Sequence, residues 1–393
     1  MPKLLQINVS SNWGSTGKIM EAIGNTAISK GWDSYVAYGR SANPSESKGI
    51  KIGGGFDPYL HFVYNRLFDL EGHGSKSATR KLVNQIIEIK PDVVQLHNIH
   101  DHFLNYQILF EYLNTTSIKV VWTFHDCWAF TGHCYHFIQN DCFKWQTICN
   151  NCPRRNMFID RSKSNFLLKK HLFQKNKNLT IVSCSEWMGN FVKASFLGNK
   201  RIEVIHNGID IDVFRQRKEL QKKDGKFHVI AVSNVWLPYK GLKDIFKLRD
   251  LLSDDYEIIM VGLSKKQIKS LPAGICGIKR TNSIYELVEL YNQADVLINP
   301  TYADTFPTVN LEALACGVPV ITYRTGGSPE AIDEKTGIVV EQGNVSELKH
   351  AVVEMRTKRL SAKDCRNRAE VFFDKRKNYE KYISLYNELL IDK

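Results

Sequence analysis

The segment of residues 296–322 restricts the fold of this chain more than any other. Residues 296–298 and 318–322 are two short apolar runs, each with the length of a buried strand. Residues 311–315 between them are good helix formers, and Gly317 followed by Pro319 provides a helix stop. The segment therefore predicts a strand, a loop, a helix and a second strand, which is the repeating unit of a parallel sheet covered by helices.

The start of the predicted helix is suited to binding a phosphate group. Unpaired backbone N–H groups and a partial positive charge gather at such a start. The predicted start of this helix comprises Phe306, Pro307, Thr308 and Val309. Asp304 precedes this stretch, and Glu312 lies about one turn into the helix. Because carboxylates accept hydrogen bonds from hydroxyls, the pattern fits a nucleotide sugar, with one acid for the sugar and the other for the ribose.

The same alternation of strands and helices occurs in both halves of the chain. Apolar runs predict strands in the amino-terminal half at residues 4–9, 35–38, 92–96, 119–123, 179–184 and 202–205. In the other half, runs at residues 227–232 and 257–261 precede the segment described above. A chain of 393 residues exceeds the usual size of a single core, so we expect two α/β domains.

Polar residues follow predicted strands in the amino-terminal half, at the edge where parallel α/β sheets bind ligands. Thr16 and Gly17 belong to the glycine-containing stretch SSNWGSTG, His97 to LHNIH, and His125 and Asp126 to VVWTFHD. Each histidine has a structural alternative, a hydrogen-bonded position in the fold, and Asp126 either binds a substrate or orients its loop. The stretch contains no GxGxxG, which argues against a dinucleotide-dependent dehydrogenase.

Residues 127–153 are rich in cysteine. Cys134, Cys142, Cys149 and Cys152 end in a CxxC pair, and four thiolates at such spacings can hold a tetrahedral structural zinc ion. His133 and His136 are substitute ligands, and Cys127 is the outsider. The alternative of thiols without metal stays open. A disulfide framework is not expected in a reducing compartment.

Basic residues outnumber acidic ones, 53 to 41, which favours anionic partners such as nucleotides, nucleic acid or an acidic membrane. Residues 154–177 interleave basic and apolar side chains. This stretch fits either a helix at an anionic bilayer surface or a domain helix with a basic outer side. With no secretory signal or spanning segment in sight, we expect a cytoplasmic protein with peripheral contact to the cytoplasmic face of the inner membrane.

The string that begins at Asp304 resembles a known signature. Asp304 and Glu312, followed by ALACGVPVI and TGGSPE, resemble the nucleotide-binding signature of retaining GT-B glycosyltransferases of family 4. The resemblance implies that Asp304 contacts the donor sugar, Glu312 the ribose, and the backbone of residues 306–309 the phosphates. Gly327 and Glu330 would touch the sugar or the diphosphate. The family signature usually begins with Glu, so Asp304 has a shorter side chain than the usual residue at that position.

Further positions match the same family. Lys240 in YKG resembles its phosphate-binding lysine, and His125 its histidine that faces the donor sugar near the reacting carbon. Asn234 stands where the family usually has an arginine. The charge of the diphosphate would then be compensated by Lys240, the helix start or another cation such as Arg324. The resemblance therefore implies His125, Lys240 and Asp304 as the catalytic residues.

The resemblance also implies the architecture, an α/β GT-B fold with two Rossmann-like domains facing a central cleft. Residues 1–205 would form the acceptor-side domain, with the Cys-rich insertion at 127–153. Residues 206–375 would form the domain that binds the nucleotide sugar. Residues 376–393 would form a helix that crosses back to the first domain.

The predicted function is transfer of a sugar from a nucleotide diphosphate sugar to an acceptor hydroxyl, with retention of configuration and without a catalytic metal. The acceptor would be a lipid-linked or growing glycan in bacterial surface polysaccharide synthesis, by analogy only. Enzymatic alternatives on this scaffold are a nucleotide-sugar 2-epimerase or a phosphorylase. A zinc-stabilised nucleic-acid-binding protein is the non-enzymatic alternative, against which two complete nucleotide-type domains argue, so no nucleic acid partner is expected.

Overall fold

The computed structural model describes residues 1–153, 159–217 and 225–391. They divide into two compact units. The first contains residues 1–206 and the chain from Tyr379 onward, and the second contains residues 207–378. The predicted boundaries, after residues 205 and 375, lie one and three residues from these divisions.

A parallel sheet of seven strands in the order β3-β2-β1-β4-β5-β6-β7 forms the centre of the first unit, as far as it is described. Its strands are β1 (Lys3–Asn8), β2 (Asp33–Tyr38), β3 (Lys48–Lys51), β4 (Val93–Leu96), β5 (Lys119–Phe124), β6 (Leu179–Ser183) and β7 (Arg201–Val204). All six predicted runs lie at strands of this sheet. The missed strand, β3, is a short edge strand with mostly exposed residues.

The helices of the first unit connect these parallel strands. They are α1 (Gly14–Ser29), α2 (Asp57–Phe68), α3 (Lys76–Ile89), α4 (Tyr106–Leu113), α5 (Ser162–Lys175) and α6 (Glu186–Ala194). Because α1 begins at Gly14, Thr16 and Gly17 lie in its first turn and not in a loop before it, as the sequence had suggested. A side chain at position 17 would be crowded, since a Cβ atom on Gly17 would lie 3.1 Å from the Ser10 carbonyl oxygen.

The second unit repeats this architecture around a parallel sheet in the order β10-β9-β8-β11-β12-β13. Its strands are β8 (Phe227–Val232), β9 (Tyr256–Val261), β10 (Ile275–Ile278), β11 (Val296–Asn299), β12 (Val320–Tyr323) and β13 (Gly337–Val340). Its helices are α7 (Leu242–Leu251), α8 (Lys265–Lys269), α9 (Ile284–Gln293), α10 (Thr308–Ala315), α11 (Val345–Thr357) and α12 (Ala362–Phe372). Both units are thus Rossmann-like, as predicted.

The last helix, α13 (Lys375–Ile391), begins in the second unit and continues into the first. There its apolar side chains join Ile23 of α1 and Val93 of β4 in one buried cluster. Tyr386 donates a buried hydrogen bond to the side-chain oxygen of Gln95 in β4. This helix is therefore part of the core of the first unit.

The basic stretch at residues 154–177 is not a surface-lying amphipathic helix in the described part of the chain, where it forms α5; residues 154–158 lie outside that part. Phe166, Leu172 and Phe173 are buried in the core of the first unit. Lys169 also points inward and donates to the carbonyl oxygens of Trp128 (2.8 Å) and Thr131 (3.1 Å). Of the two interpretations, the packed domain helix is the one that the contacts support.

Of the described helices, none has the length and apolarity needed to cross a bilayer.

Candidate active site

Three loops meet at one edge of the sheet in the second unit. They follow β8, β11 and β12, which are neighbours in a parallel sheet, so their carboxyl ends lie side by side. A Cβ atom on Gly241 would lie 2.1 Å from the Pro300 carbonyl oxygen, and one on Gly326 would lie 1.7 Å from that of Asp304. Both glycines also have positive φ, so the loops can approach this closely only with glycine at these positions.

Lys240 and Asp304 are brought together by these loops. The Lys240 Nζ donates to Asp304 Oδ2 at 2.7 Å, and each side chain is about a fifth to a quarter exposed. The two residues are 64 positions apart in sequence, at the ends of adjacent strands β8 and β11. A cation and a carboxylate that were each predicted to be catalytic therefore lie in contact at one partly shielded position.

The predicted phosphate site lies at the start of α10. Thr308 is the first helical residue, and Pro307 precedes it as the cap residue, not as part of the first turn. Phe306 is buried and anchors the loop before the helix. The N–H groups of Thr308 and Val309 belong to the first turn, whose amides have no partner within their own helix. The start of α10 thus presents donors and a partial positive charge.

Glu312 is held by a neighbouring helix. Its Oε2 accepts a hydrogen bond of 2.8 Å from the hydroxyl of Tyr291 in α9. Burial raises the pKa of Tyr291 well above its usual value, and the adjacent Glu312 carboxylate raises it further. The tyrosine therefore stays protonated and fixes the direction of the carboxylate. Sequence reasoning missed Tyr291, because only the folded chain shows that it reaches Glu312.

The loop after β12 is fastened to α10 by buried polar side chains. Asn310 Nδ2 donates to Ser328 Oγ at 3.0 Å, and Gly327 N donates to the Thr305 carbonyl at 3.2 Å. Gly327 therefore lies directly beside the loop that carries Asp304. Glu330 is nearby in the short 3-10 helix Ser328–Ala331, where its carbonyl accepts from Arg368.

Of the groups considered as compensation for the charge of the diphosphate, only some lie beside Asp304. Asn234 is exposed in the loop after β8. Arg324, suggested as an extra cation, forms an ion pair of 2.6 Å with Glu341, and both side chains are about 60% exposed. Lys240 and the start of α10 are therefore the positive groups that the geometry brings to Asp304.

In the first unit, His97 and His125 follow the neighbouring strands β4 and β5. Their rings stack 5.4 Å apart, and His97 Nδ1 lies 3.0 Å from His125 Nε2. The Gln6 amide nitrogen donates to the Met20 carbonyl, so its oxygen accepts from His97 Nε2. The hydrogen-bond network thereby assigns His97 as the Nε2–H tautomer, which accepts at Nδ1 from His125 Nε2–H.

Both imidazoles are neutral near pH 7. Burial lowers the pKa of His97 well below its usual value, with a further lowering by His125. Burial lowers the pKa of His125 to about 4, although the Asp126 carboxylate opposes this. A neutral His125 whose Nε2–H is committed to His97 has a fixed ring orientation, which suits a residue that positions a substrate.

Asp126 is held by hydrogen bonds within the fold. Its carboxylate accepts from His100 Nε2 at 2.8 Å and from the Trp128 backbone N–H at 2.9 Å. Burial alone would raise the pKa of Asp126, but His100, the Trp128 N–H and His136 together lower this pKa below its usual value. Of the two predicted roles, orienting its loop is the one that these contacts support. Sequence reasoning missed His100, although it is the last residue of LHNIH.

The predicted glycine-loop residues occupy the end of β1. Asn8 Nδ2 lies 3.4 Å from Thr16 Oγ1, and Asn8 Oδ1 accepts from the Asn98 backbone N–H at 3.1 Å. The ends of β1, β4 and β5 thus form a polar edge that includes Thr16, Gly17, His97 and His125. Asn8 was not predicted, because inside an apolar run it looks like an ordinary strand residue.

The four predicted zinc ligands line one small pocket in the loop after β5, together with His133. His133 Nε2 lies 3.0 Å from Cys152 Sγ, and Gly132 N donates to Cys149 Sγ at 3.3 Å. Within residues 1–153, 159–217 and 225–391, no three or more His, Cys, Asp or Glu side chains are placed to hold a metal ion. Zinc binding therefore stays a prediction.

Two family models match this chain in succession. Residues 212–387 match the model of the family described as glycosyl transferases group 1, and residues 20–213 match that of glycosyltransferase family 4. A protein of Escherichia coli (strain K12) named as the colanic acid biosynthesis glycosyl transferase WcaC is 24% identical over 369 residues. The match covers 88% of this chain and 89% of that protein.

Solved structures give the fold. Sucrose-phosphate synthase from Thermosynechococcus elongatus superposes with a TM-score of 0.76 at 15% identity, over 100% of both chains. Alr3699/HepE from Anabaena, solved with UDP and glucose, gives 0.67 at 16% identity, over 98% of this chain and 100% of that one. These likenesses show the GT-B fold. With adjoining family matches that span residues 20–387, the chain belongs to the family 4, or group 1, glycosyltransferases.

Proposed function

We propose that this glycosyltransferase moves a sugar from a nucleoside diphosphate sugar to an acceptor hydroxyl and retains the anomeric configuration. The observation that carries the proposal is the meeting of Lys240, Asp304 and the start of α10 at one sheet edge. A diphosphate at that edge would receive the amides of α10 and the ammonium of Lys240. Glu312, oriented by Tyr291, would accept the ribose hydroxyls.

Asp304 would have two partners in turn. In the structure its carboxylate neutralises Lys240 at 2.7 Å. When a diphosphate takes over the Lys240 ammonium, Asp304 is released to accept hydrogen bonds from the donor sugar. The exchange leaves no charge without a partner in a partly shielded site, which is the condition for charged groups to work there at low cost.

The reaction needs no separate base in this arrangement. The bond between the anomeric carbon and the diphosphate oxygen breaks while the acceptor oxygen bonds to that carbon from the same face. The acceptor proton passes to the departing phosphate oxygen. Lys240 and the α10 amides would stabilise the charge that develops on the diphosphate. We assign the positioning of the donor sugar to His125, whose ring is held by His97.

The cellular setting is proposed by likeness. The named role of WcaC in colanic acid biosynthesis supports a bacterial surface polysaccharide, with a lipid-linked or growing glycan as acceptor on the cytoplasmic side of the membrane. The UDP and glucose bound to Alr3699/HepE support a nucleotide sugar as the donor. Family membership supports an enzyme over the nucleic-acid-binding alternative.

The experiment measures nucleoside diphosphate release from a panel of UDP and GDP sugars, with and without glycan acceptors, and the product configuration by NMR. Release that depends on acceptor, with an α-linked product from an α-linked donor, is expected. Epimerised nucleotide sugar or sugar 1-phosphate as the product would contradict the proposal. Asp304→Asn and Glu312→Gln should lose activity, whereas Glu354→Gln, an acid in α11, should not.

A further inference from the structure

Helix α2 is turned the opposite way from an ordinary surface helix. Its buried residues are the polar His61 and Asn65. Its large apolar side chains are exposed: Tyr59, Leu60, Phe62, Tyr64, Leu67 and Phe68, called the outer face of α2 below. Tyr59 is 65% exposed, Leu60 54% and Tyr64 51%. An amphipathic helix of a globular protein normally buries its apolar side, so the outer face requires an explanation.

Polar contacts fix α2 in this orientation. His61 Nε2 accepts from the N–H groups of Gly72 (3.0 Å) and Gly74 (3.1 Å), and His61 Nδ1 therefore donates to Ser75 Oγ at 3.0 Å. Asn65 Nδ2 lies 2.8 Å from His102 Nε2. Turning the helix to bury its aromatic residues would leave these buried polar atoms without partners, at a cost for each. The exposure of the outer face is thus built into the fold.

The outer face is continuous and does not consist of scattered single residues. Its members occupy one 12-residue helix, and the rings of Tyr64 and Phe68 lie 6.3 Å apart. Isolated exposed apolar residues are normal, but contiguous patches of aromatic and aliphatic side chains mark surfaces that contact another protein or a membrane.

The exposed charges around α2 are mainly positive. Arg66 is exposed on the helix itself, and Lys76 is exposed just after Ser75. Arg40 lies 3.4 Å from His102, whose ring is 5.4 Å from that of Phe62, but its charge is paired with Asp101 at 2.9 Å. Among the acidic side chains of this region, Asp69 and Glu71 are buried, and Asp57 in the first turn of α2 is half-buried. Tyrosine, phenylalanine and leucine rimmed by cations are the composition that binds the interface of an anionic bilayer.

We propose that the outer face of α2 inserts into the headgroup region of an anionic membrane, with Arg66 and Lys76 near the phosphates. This goes beyond the proposed reaction and does not depend on it. The surface assigned is in α2 and not in the basic stretch at residues 154–177, whose apolar side chains are already used in the core. An enzyme held there would meet an acceptor that is itself anchored in the membrane.

Flotation with lipid vesicles tests the proposal. The full chain is mixed with vesicles of phosphatidylcholine alone or with added phosphatidylglycerol. We expect roughly tenfold more protein bound to the anionic vesicles, because each nearby cation adds to binding. The variant Tyr59→Ser, Leu60→Ser, Tyr64→Ser should lose this binding. A matched variant at equally exposed positions elsewhere, Leu167→Ser, Leu251→Ser, Val371→Ser, should float like the parent.

Failure of the parent to float with anionic vesicles, or equal flotation of the α2 variant, would overturn the proposal. A dimer of the parent in gel filtration that disappears in the α2 variant would also overturn it, since a second copy would then cover this face. Circular dichroism checks that the variant folds. A single Tyr59→Trp substitution adds a fluorescence readout within the intact face. The tryptophan emission of this variant, compared with that of the parent, should shift to the blue only with anionic vesicles.

The vesicle experiments are independent of catalysis. Nucleoside diphosphate release with a water-soluble acceptor should be the same for the α2 variant and the parent. A parent that floats but transfers no sugar would leave the membrane proposal standing and contradict the proposed reaction.

Discussion

Replacing Lys240 by methionine tests the proposed chemistry most directly. The ammonium is held at 2.7 Å from Asp304 in a site only about a quarter exposed. A unit charge about 4 Å from a developing phosphate charge, in an environment of effective dielectric constant near 20, is worth about 4 kcal/mol. Loss of one pre-positioned group of this kind typically lowers kcat by about 10²- to 10³-fold. We expect a decrease of that size for Lys240→Met.

The fold should tolerate the same substitution. The pair is partly exposed, and such pairs contribute about 0–1 kcal/mol to the free energy of unfolding. Methionine also keeps most of the length of the lysine side chain. The melting temperature should therefore change little while turnover falls steeply, a combination that a structural role for Lys240 would not give.

The assay is steady-state release of nucleoside diphosphate at saturating acceptor, with donor concentration varied to separate kcat from KM. A double-mutant cycle with Asp304→Asn adds a second test. Because the two side chains are in contact, the double variant should lose less than the product of the single losses. If Lys240→Met keeps kcat within about threefold of the parent, which is far less than one stabilising charge supplies, the reasoning is wrong.

Three further outcomes are expected. Because the pKa of His125 is about 4, this group should stay neutral from pH 8 down to about pH 5, and kcat/KM should show no inflection near pH 6.5 that disappears in His125→Asn. Elemental analysis of the purified chain should find about one zinc. The variant Cys149→Ser, Cys152→Ser should lose it and Cys276→Ser, in β10, should keep it, whereas metal-free parent protein would end the zinc hypothesis. Arg249→Met should lower the free energy of unfolding, measured in urea, by about 2–4 kcal/mol, because the buried guanidinium donates to three backbone carbonyls. A decrease below about 0.5 kcal/mol, which is the size seen at ordinary surface positions, would refute this prediction.

The arrangement of the sheets could be predicted from the sequence because most of their strands are buried on both faces. Such strands appear as short, continuous apolar runs, and each predicted run lies at a strand of a parallel sheet. Parallel strands also bring their carboxyl ends to one edge, so Lys240 and Asp304 could be expected to lie close together from their places after β8 and β11.

Partners that depend on the packing of distant segments could not be predicted. Tyr291 reaches Glu312, and His100 reaches Asp126, through contacts between elements that are far apart in sequence. The sequence left two interpretations of residues 154–177 open, because the sequence does not show that Lys169 points inward to three backbone carbonyls. The outward aromatic residues of α2 were not predicted either, since they follow from the hydrogen bonds that anchor His61.

Because α13 follows the second unit in sequence, the core of the first unit is completed only after the second unit has been synthesised. One side of the sheet in the first unit, including Leu4 and Val93, is covered by Tyr382, Ile383 and Tyr386, which are made only after the whole second unit. While the ribosome is still translating residues 207–378, that side of the sheet lacks these three side chains, and Gln95 lacks the hydrogen bond from Tyr386. The first unit therefore completes its core only after residues 207–378 have been synthesised. Until then, the incomplete unit of the nascent chain is accessible to chaperones and proteases.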